Sequence, residues 1–134
     1  MGVGPNYVLD KGLVATGSSA YAFGELVVSS GDGTKCARAT SAGAQILGVN
    51  QETVDAAKVQ TGKVVTDVRL LGISRVIAGA AIAVGAKLTN DTSARAVTQA
   101  GAAGSGAPSF GVALTACTAA GQHVDVLLTP ANVV

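Results

Sequence analysis

His123 and Asp125 are the first pair with the means to do chemistry. They stand two apart in "HVDVLLT", and on an extended strand residues i and i+2 share a face. A histidine beside a carboxylate is half of a general-base arrangement. The same spacing also describes a polar pair on a solvated strand, and we read it that way. The missing half would be a nucleophile. "APSFG" at 107–111 approaches the GxSxG elbow, but Ala107 stands in the first glycine position and a strand-like run follows where a helix is required. The carboxylates are Asp10, Glu25, Asp32, Glu52, Asp55, Asp67, Asp91 and Asp125. Asp67 and Asp125 fall at matching points of two similar strands, so an internal twofold could bring them together. The Asp-Thr/Ser-Gly context of a carboxylate dyad is missing at both, and we read them as solvent-facing.

Metal and phosphate chemistry fare no better. Cys36 and Cys117 form no CxxC, and one histidine with two distant thiols does not make a zinc set. We expect two small free thiols rather than a disulfide. "GDGT" at 31–34 offers one carboxylate where a calcium loop needs several, and it reads as a hairpin turn. Gly62-Lys63 continues into Val64, with Ala57 in place of the first glycine of a phosphate loop. No GxGxxG is present. The expectation is no catalytic residue, no metal and no cofactor.

The elements around these residues are strands. "GELVVSSGDGTKCARAT" reads as a hairpin over 25–29 and 35–40 with its turn at Gly31-Asp32-Gly33. "QILGVNQ" is a short strand at 45–51. "GKVVTDVRLLG" alternates, with Val64, Thr66, Val68 and Leu70 on one face and Val65, Asp67, Arg69 and Leu71 on the other. "ISRVIA" at 73–78 is expected as a separate strand. A second hairpin turns near Asn90-Asp91, and "FGVALTAC" and "HVDVLLT" complete the set. Only "TVDAAKVQ" at 53–60 suits a helical turn or two. Short β-branched runs broken by glycine and polar turns point to an all-β barrel or sandwich of about ten strands.

The 134 residues suit one domain. Hydrophobic residues make up 49%, yet there are only two Phe, two Tyr and no Trp, so the core is assembled from many small contacts. Charged residues are 13%, about half the usual share, which suggests that other copies or a partner cover part of the surface. Net charge is +1 with no basic run, so nucleic acid is not an expected partner. The longest apolar stretch, 76–86, has eleven residues, and a membrane-spanning helix needs about twenty. "MGVGPNYVLDK" lacks the basic start and apolar run of a secretory signal.

The chain also repeats itself. "AFGELVV" at 22–28 returns as "AVGAKLT" at 83–89, "CARAT" as "SARAV", "ILGV" as "SFGV", and "QTGKVVTDVRLL" as "AAGQHVDVLLT". The order is kept, so the chain reads as two copies of one β unit, about 21–78 and about 79–130, packed so that each covers the other's apolar face. Residues 1–20 stand outside the repeat as an N-terminal arm and first strand, ahead of a single β domain over 21–134. An arm of this kind docks on a neighbour or lies as an edge strand. "QAGAAGSGAPS" at 99–109 reads as a surface loop.

"NYVLDKGLVAT", "AFGELVV", the long central run from "ILGVNQ" to "GISRV", "AVGAKLTND" and the closing "FGVALTACTAAGQHVDVLLTP" together resemble the capsid cement, or head decoration, proteins of tailed bacteriophages. The resemblance covers nearly the whole chain and rests on order and length. It implies a small β-barrel-like homotrimer without catalytic residues, made in the bacterial host cytoplasm. It implies a place on the outer capsid surface, clamping neighbouring major capsid subunits against the pressure of packaged DNA. On this reading Val3, Pro5, Asn6 and Tyr7 of the arm are the expected capsid- or subunit-contacting residues. Three rivals remain open at this point, one of them a hydrolase using His123 and Asp125, for which replacing His123 by Ala is expected to cost no function. A tail-tube or other virion β protein would polymerise. A displayed ligand- or glycan-binding barrel would want aromatic platforms, and the chain is 3% aromatic.

Overall fold

The computed structural model describes residues 7–99 and 108–133. Among them run nine strands and one short helix: β1 (Leu9–Ala15), β2 (Leu26–Ser30), β3 (Lys35–Arg38), β4 (Gly48–Asn50), α1 (Ala56–Gln60), β5 (Val65–Ile77), β6 (Lys87–Asn90), β7 (Ala96–Thr98), β8 (Ser109–Ala113) and β9 (His123–Val133). The fold is all-β, as the alternation predicts. One element differs. The runs expected as separate strands before and after Gly72 are a single strand, β5, of 13 residues. The reason is phase: Thr66, Val68, Ser74 and Val76 are all buried, so the period-two pattern passes through Gly72 unbroken and no turn intervenes.

β5 joins two units of the same design. In the first, the order β1–β3–β2–β4–β5 closes on itself, because β1 pairs with β3 in parallel and with β5 in antiparallel. Closure removes the sheet edges of this five-stranded barrel. In the second, β7–β6–β8–β9 repeats the order β3–β2–β4–β5. The latter half of β5 pairs antiparallel with β9, and Ala78 bridges Ala96 of β7 in parallel. That half of β5 takes the place in the second unit that β1 takes in the first, but it meets β7 at one isolated bridge where β1 meets β3 in a ladder. The doubled phrase falls at equivalent turns, where Gly24 and Gly85 take φ of 88° and 83°, a backbone that side chains disfavour.

Each unit has its own interior. Leu13, Ala15, Tyr21, Val27, Cys36, Val54, Val59 and Val68 fill the first. Tyr21 is the largest of these. Its hydroxyl donates to the Thr16 carbonyl at 2.6 Å and accepts from the Thr16 N–H at 3.2 Å, so the phenol is buried with its polar tip satisfied. Burial pushes that hydroxyl up to about 12. Asn50 and Thr66 form an inner polar pair, Thr66 Oγ1 donating to Asn50 Oδ1 at 2.5 Å. In the second interior Val76, Ala78, Ile82, Leu88, Ala96 and Val126 hold the matching positions, joined by Phe110, Ala113, Val124 and Leu128.

The two units are unequal where they meet. In the first, Val14 donates to the Thr34 carbonyl at 3.0 Å and draws β1 onto β3. At the matching level of the second, the turn before β2 inserts. Ile77 donates to the Gly24 carbonyl at 3.1 Å, and Leu26 donates to the Ala94 carbonyl at 2.8 Å. Leu26, Ala39, Ile46 and Val49 of the first unit are thereby buried in the core of the second. A unit that closes alone thus completes one that does not. The insertion is anchored by Glu25, a buried carboxylate that accepts from the Ala22 N–H at 2.7 Å and pairs with Arg38 at 2.5 Å. A buried charge needs this set of partners.

Two glycines permit the closest strand approaches. A Cβ on Gly48 of β4 would run into the Arg69 carbonyl of β5. A Cβ on Gly111 of β8 would sit 2.6 Å from the Leu127 carbonyl of β9. These are equivalent positions, and they explain why "GV" recurs in both units.

Candidate functional site

The residues with chemical potential are spent on holding turns and strand edges. His123 is exposed at the start of β9, opposite Ile77. Asp125, on the same face, pairs with Arg75 across the ladder, Nε to Oδ1 at 3.5 Å. The arrangement is a cross-strand ion pair on a solvated face. Ser109 is buried and its hydroxyl donates to the Gly111 carbonyl at 3.1 Å, which ties it to its own strand. Asp32 accepts from both the N–H and the hydroxyl of Thr34, at 3.1 and 2.5 Å, and so forms the expected hairpin turn. Those bonds, the hydroxyl's first, hold the Asp32 carboxyl below its ordinary range. Gly62-Lys63 lies in the turn after α1, where the Lys63 N–H donates to Thr61 Oγ1 at 3.2 Å.

Both cysteines are free thiols. Cys36 lies in the first interior, and burial pushes its thiol up to about 11. Cys117 is half-buried against the second core, 3.3 Å from the Ala80 carbonyl. Asp67 and Asp125 do occupy equivalent ladder positions, opposite Gly12 and Arg75 respectively. The structure does not bring them together. Asp67 instead neighbours Glu52, whose carboxyl is raised by its slight burial first, then by a hydrogen bond and repulsion from Asp67. Among the described residues no three His, Cys, Asp or Glu gather closely enough to hold a metal.

The surface offers apolar contact. Val3, Pro5 and Asn6, expected as contact residues, lie outside the described residues. Tyr7 is 80% exposed, and Val8 and Leu9 after it are also exposed. Leu9 opens β1 opposite Leu71, and the two join Leu47 and Leu70 around a surface cavity of about 270 Å³. The sequence does not single out Leu47, Leu70 or Leu71 as contact residues. The available signal is "LL" in β5: a strand with Asp67 and Arg69 on its outer face should continue polar there, and Leu71 breaks that rule.

The architecture has a counterpart of known structure. The fold is similar to the crystal structure of the head fiber gp8.5 N base in bacteriophage phi29, with a TM-score of 0.65 and 21% sequence identity over 96% of this chain and 99% of that one. At that identity the likeness establishes a shared fold from end to end. No protein-family model and no curated relative matches the chain.

Proposed function

We propose that this protein is a structural component of a tailed-phage virion, seated on the outer surface of the head, where it binds neighbouring major capsid subunits and stabilises the shell. One observation carries the reading. The fold likeness to a head fiber base runs over nearly the full length of both chains, and the sequence independently resembles head decoration proteins. The disposition of polar residues supports a role in binding rather than catalysis, since Asp125, Asp32 and Ser109 are engaged by Arg75, Thr34 and Gly111. The protein acts as a small homo-oligomer, trimeric by the resemblance. Repeated on a symmetric shell, modest contacts add up through multivalency.

The test is sedimentation of purified protein with expanded, undecorated heads. Saturable binding near one copy per capsid subunit supports the reading. A much lower saturating ratio would assign it another position on the virion, and absence of binding would refute the capsid role.

A further inference from the structure

The outward face of β5 carries Arg69, Leu71, Ile73 and Arg75 in alternation. Leu71 is opposite Leu9 of β1, across a register shift between Leu9 and Asp10, and the two line one cavity; Ile73 is opposite Leu127 of β9. Residues opposite each other share a face, so Leu9, Leu71, Ile73 and Leu127 form one apolar stripe across the strand common to both units. They are 54%, 40%, 36% and 44% exposed. Leu47, 36% exposed, extends the stripe along the leucine cavity. Side chains at these exposures leave on the order of 400 Å² of apolar surface open, the size of the largest patch on a typical monomer, which is often functional.

We infer that this stripe is where copies of the chain meet one another. Two features select a second copy over a partner of different chemistry. The first is charge. The stripe is bounded at one end by Arg69 with Asp10, 2.9 Å apart, and at the other by Arg75 with Asp125 at 3.5 Å. Each charge already has its opposite within the chain. A partner with a charged surface has nothing to complement here, whereas an identical neutral stripe does, and contacts between like chains are the more apolar kind. The second is continuity. The cavity adjoins the junction between the two units, where Leu47 and Leu70 meet Phe110 and Leu128 around a gap of only about 10 Å³. By the ladders Leu47 corresponds to Phe110 and Leu70 to Leu128. The fold therefore already joins two copies of its unit through these positions, and the exposed leucines prolong that joint outward. Tyr7 and Val8 lead into the stripe at Leu9, so the arm begins at this contact.

The inference rests on the oligomeric part of the reading above and does not depend on the capsid. The measurement is mass in solution by light scattering and sedimentation velocity from low to high micromolar concentration. The wild type is compared with Leu71→Lys/Leu127→Lys and with Val65→Lys. Val65 is exposed on the same face, six residues earlier and about 20 Å along β5. The wild type and Val65→Lys should assemble, and the double variant should assemble at least tenfold more weakly while retaining its circular dichroism. If the double variant fails to fold, Leu9→Lys, at the most exposed position of the stripe, supplies the readout. A wild type that is monomeric throughout overturns the inference. So does a folded variant that assembles like the wild type, including one that stays assembled but no longer binds heads, which would assign the stripe to the capsid. Lost assembly supports the inference whether or not heads are bound.

Discussion

Replacing Gly48 by Ala tests the idea that strand proximity, rather than turn chemistry, keeps glycine in the two "GV" strands. The added methyl would run into the Arg69 carbonyl and come within 2.8 Å of Val68 Cγ1. The obstacle is backbone of β5, a strand shared by both units and held by β1 along its first half and by β9 along its second. It cannot step aside as a side chain can. Inserting a methyl into such a site costs about 2–3 kcal/mol. Unfolding entropy near 2.1 cal/mol/K per residue gives this chain about 0.28 kcal/mol/K, so Tm should fall by about 7–11 °C. Gly12→Ala is the matched control. Its methyl would sit 2.9 Å from Val65 Cγ1, but Val65 is exposed and can rotate away, and the lost chain freedom of glycine offsets part of the cost. Its change should stay within about 1 kcal/mol, or under about 4 °C. Differential scanning calorimetry on the three proteins decides the matter. A Gly48→Ala melt within about 3 °C of wild type, or a Gly12→Ala loss as large as that of Gly48→Ala, would refute the reasoning.

Leu26→Ala removes a fully buried side chain that the first unit lends to the second core, and should cost about 3 kcal/mol while lowering Tm by about 10 °C. If calorimetry shows only the loss expected of a surface residue, the insertion does not support the second unit. Glu52 is raised above its ordinary 4.5, so the folded protein holds that proton more tightly than the unfolded chain does. This contribution to stability is present below pH 4.5 and is lost as pH rises through the raised value. Asp67→Asn should move the Glu52 titration, followed by NMR, downward; an unchanged midpoint would exclude Asp67 as a cause. With a thiol reagent at pH 8, Cys117 should be modified well before Cys36, whose thiol is both buried and held near 11. Peptide mass spectrometry locates the label, and equal rates in the folded state would contradict the buried placement of Cys36.

Several features were legible because they are local. The hairpin over Leu26–Arg38 follows from its turn glycines and Asp32, and the outward placement of Asp67 follows from period-two alternation. The correspondence of Asp67 with Asp125 followed from the repeat and holds in the ladders. The sequence suggests two strands in place of β5 because a glycine between two apolar runs looks like punctuation. Whether it breaks a strand depends on the partners of its neighbours, here β1 before it and β9 after it.

By itself the sequence determined the all-β class, the doubling of one unit, and the use of small residues in place of aromatic anchors. Periodicity, turn residues and composition act within a few positions of the chain, so they can be read there. Only the tertiary structure decided that one barrel closes through β1 while the other takes the Gly24–Leu26 segment of its neighbour, and that leucines from three strands converge on one exposed stripe. Those outcomes depend on which strand edges pair and which faces are left over. Such pairings join residues far apart in the chain, and no local pattern encodes them.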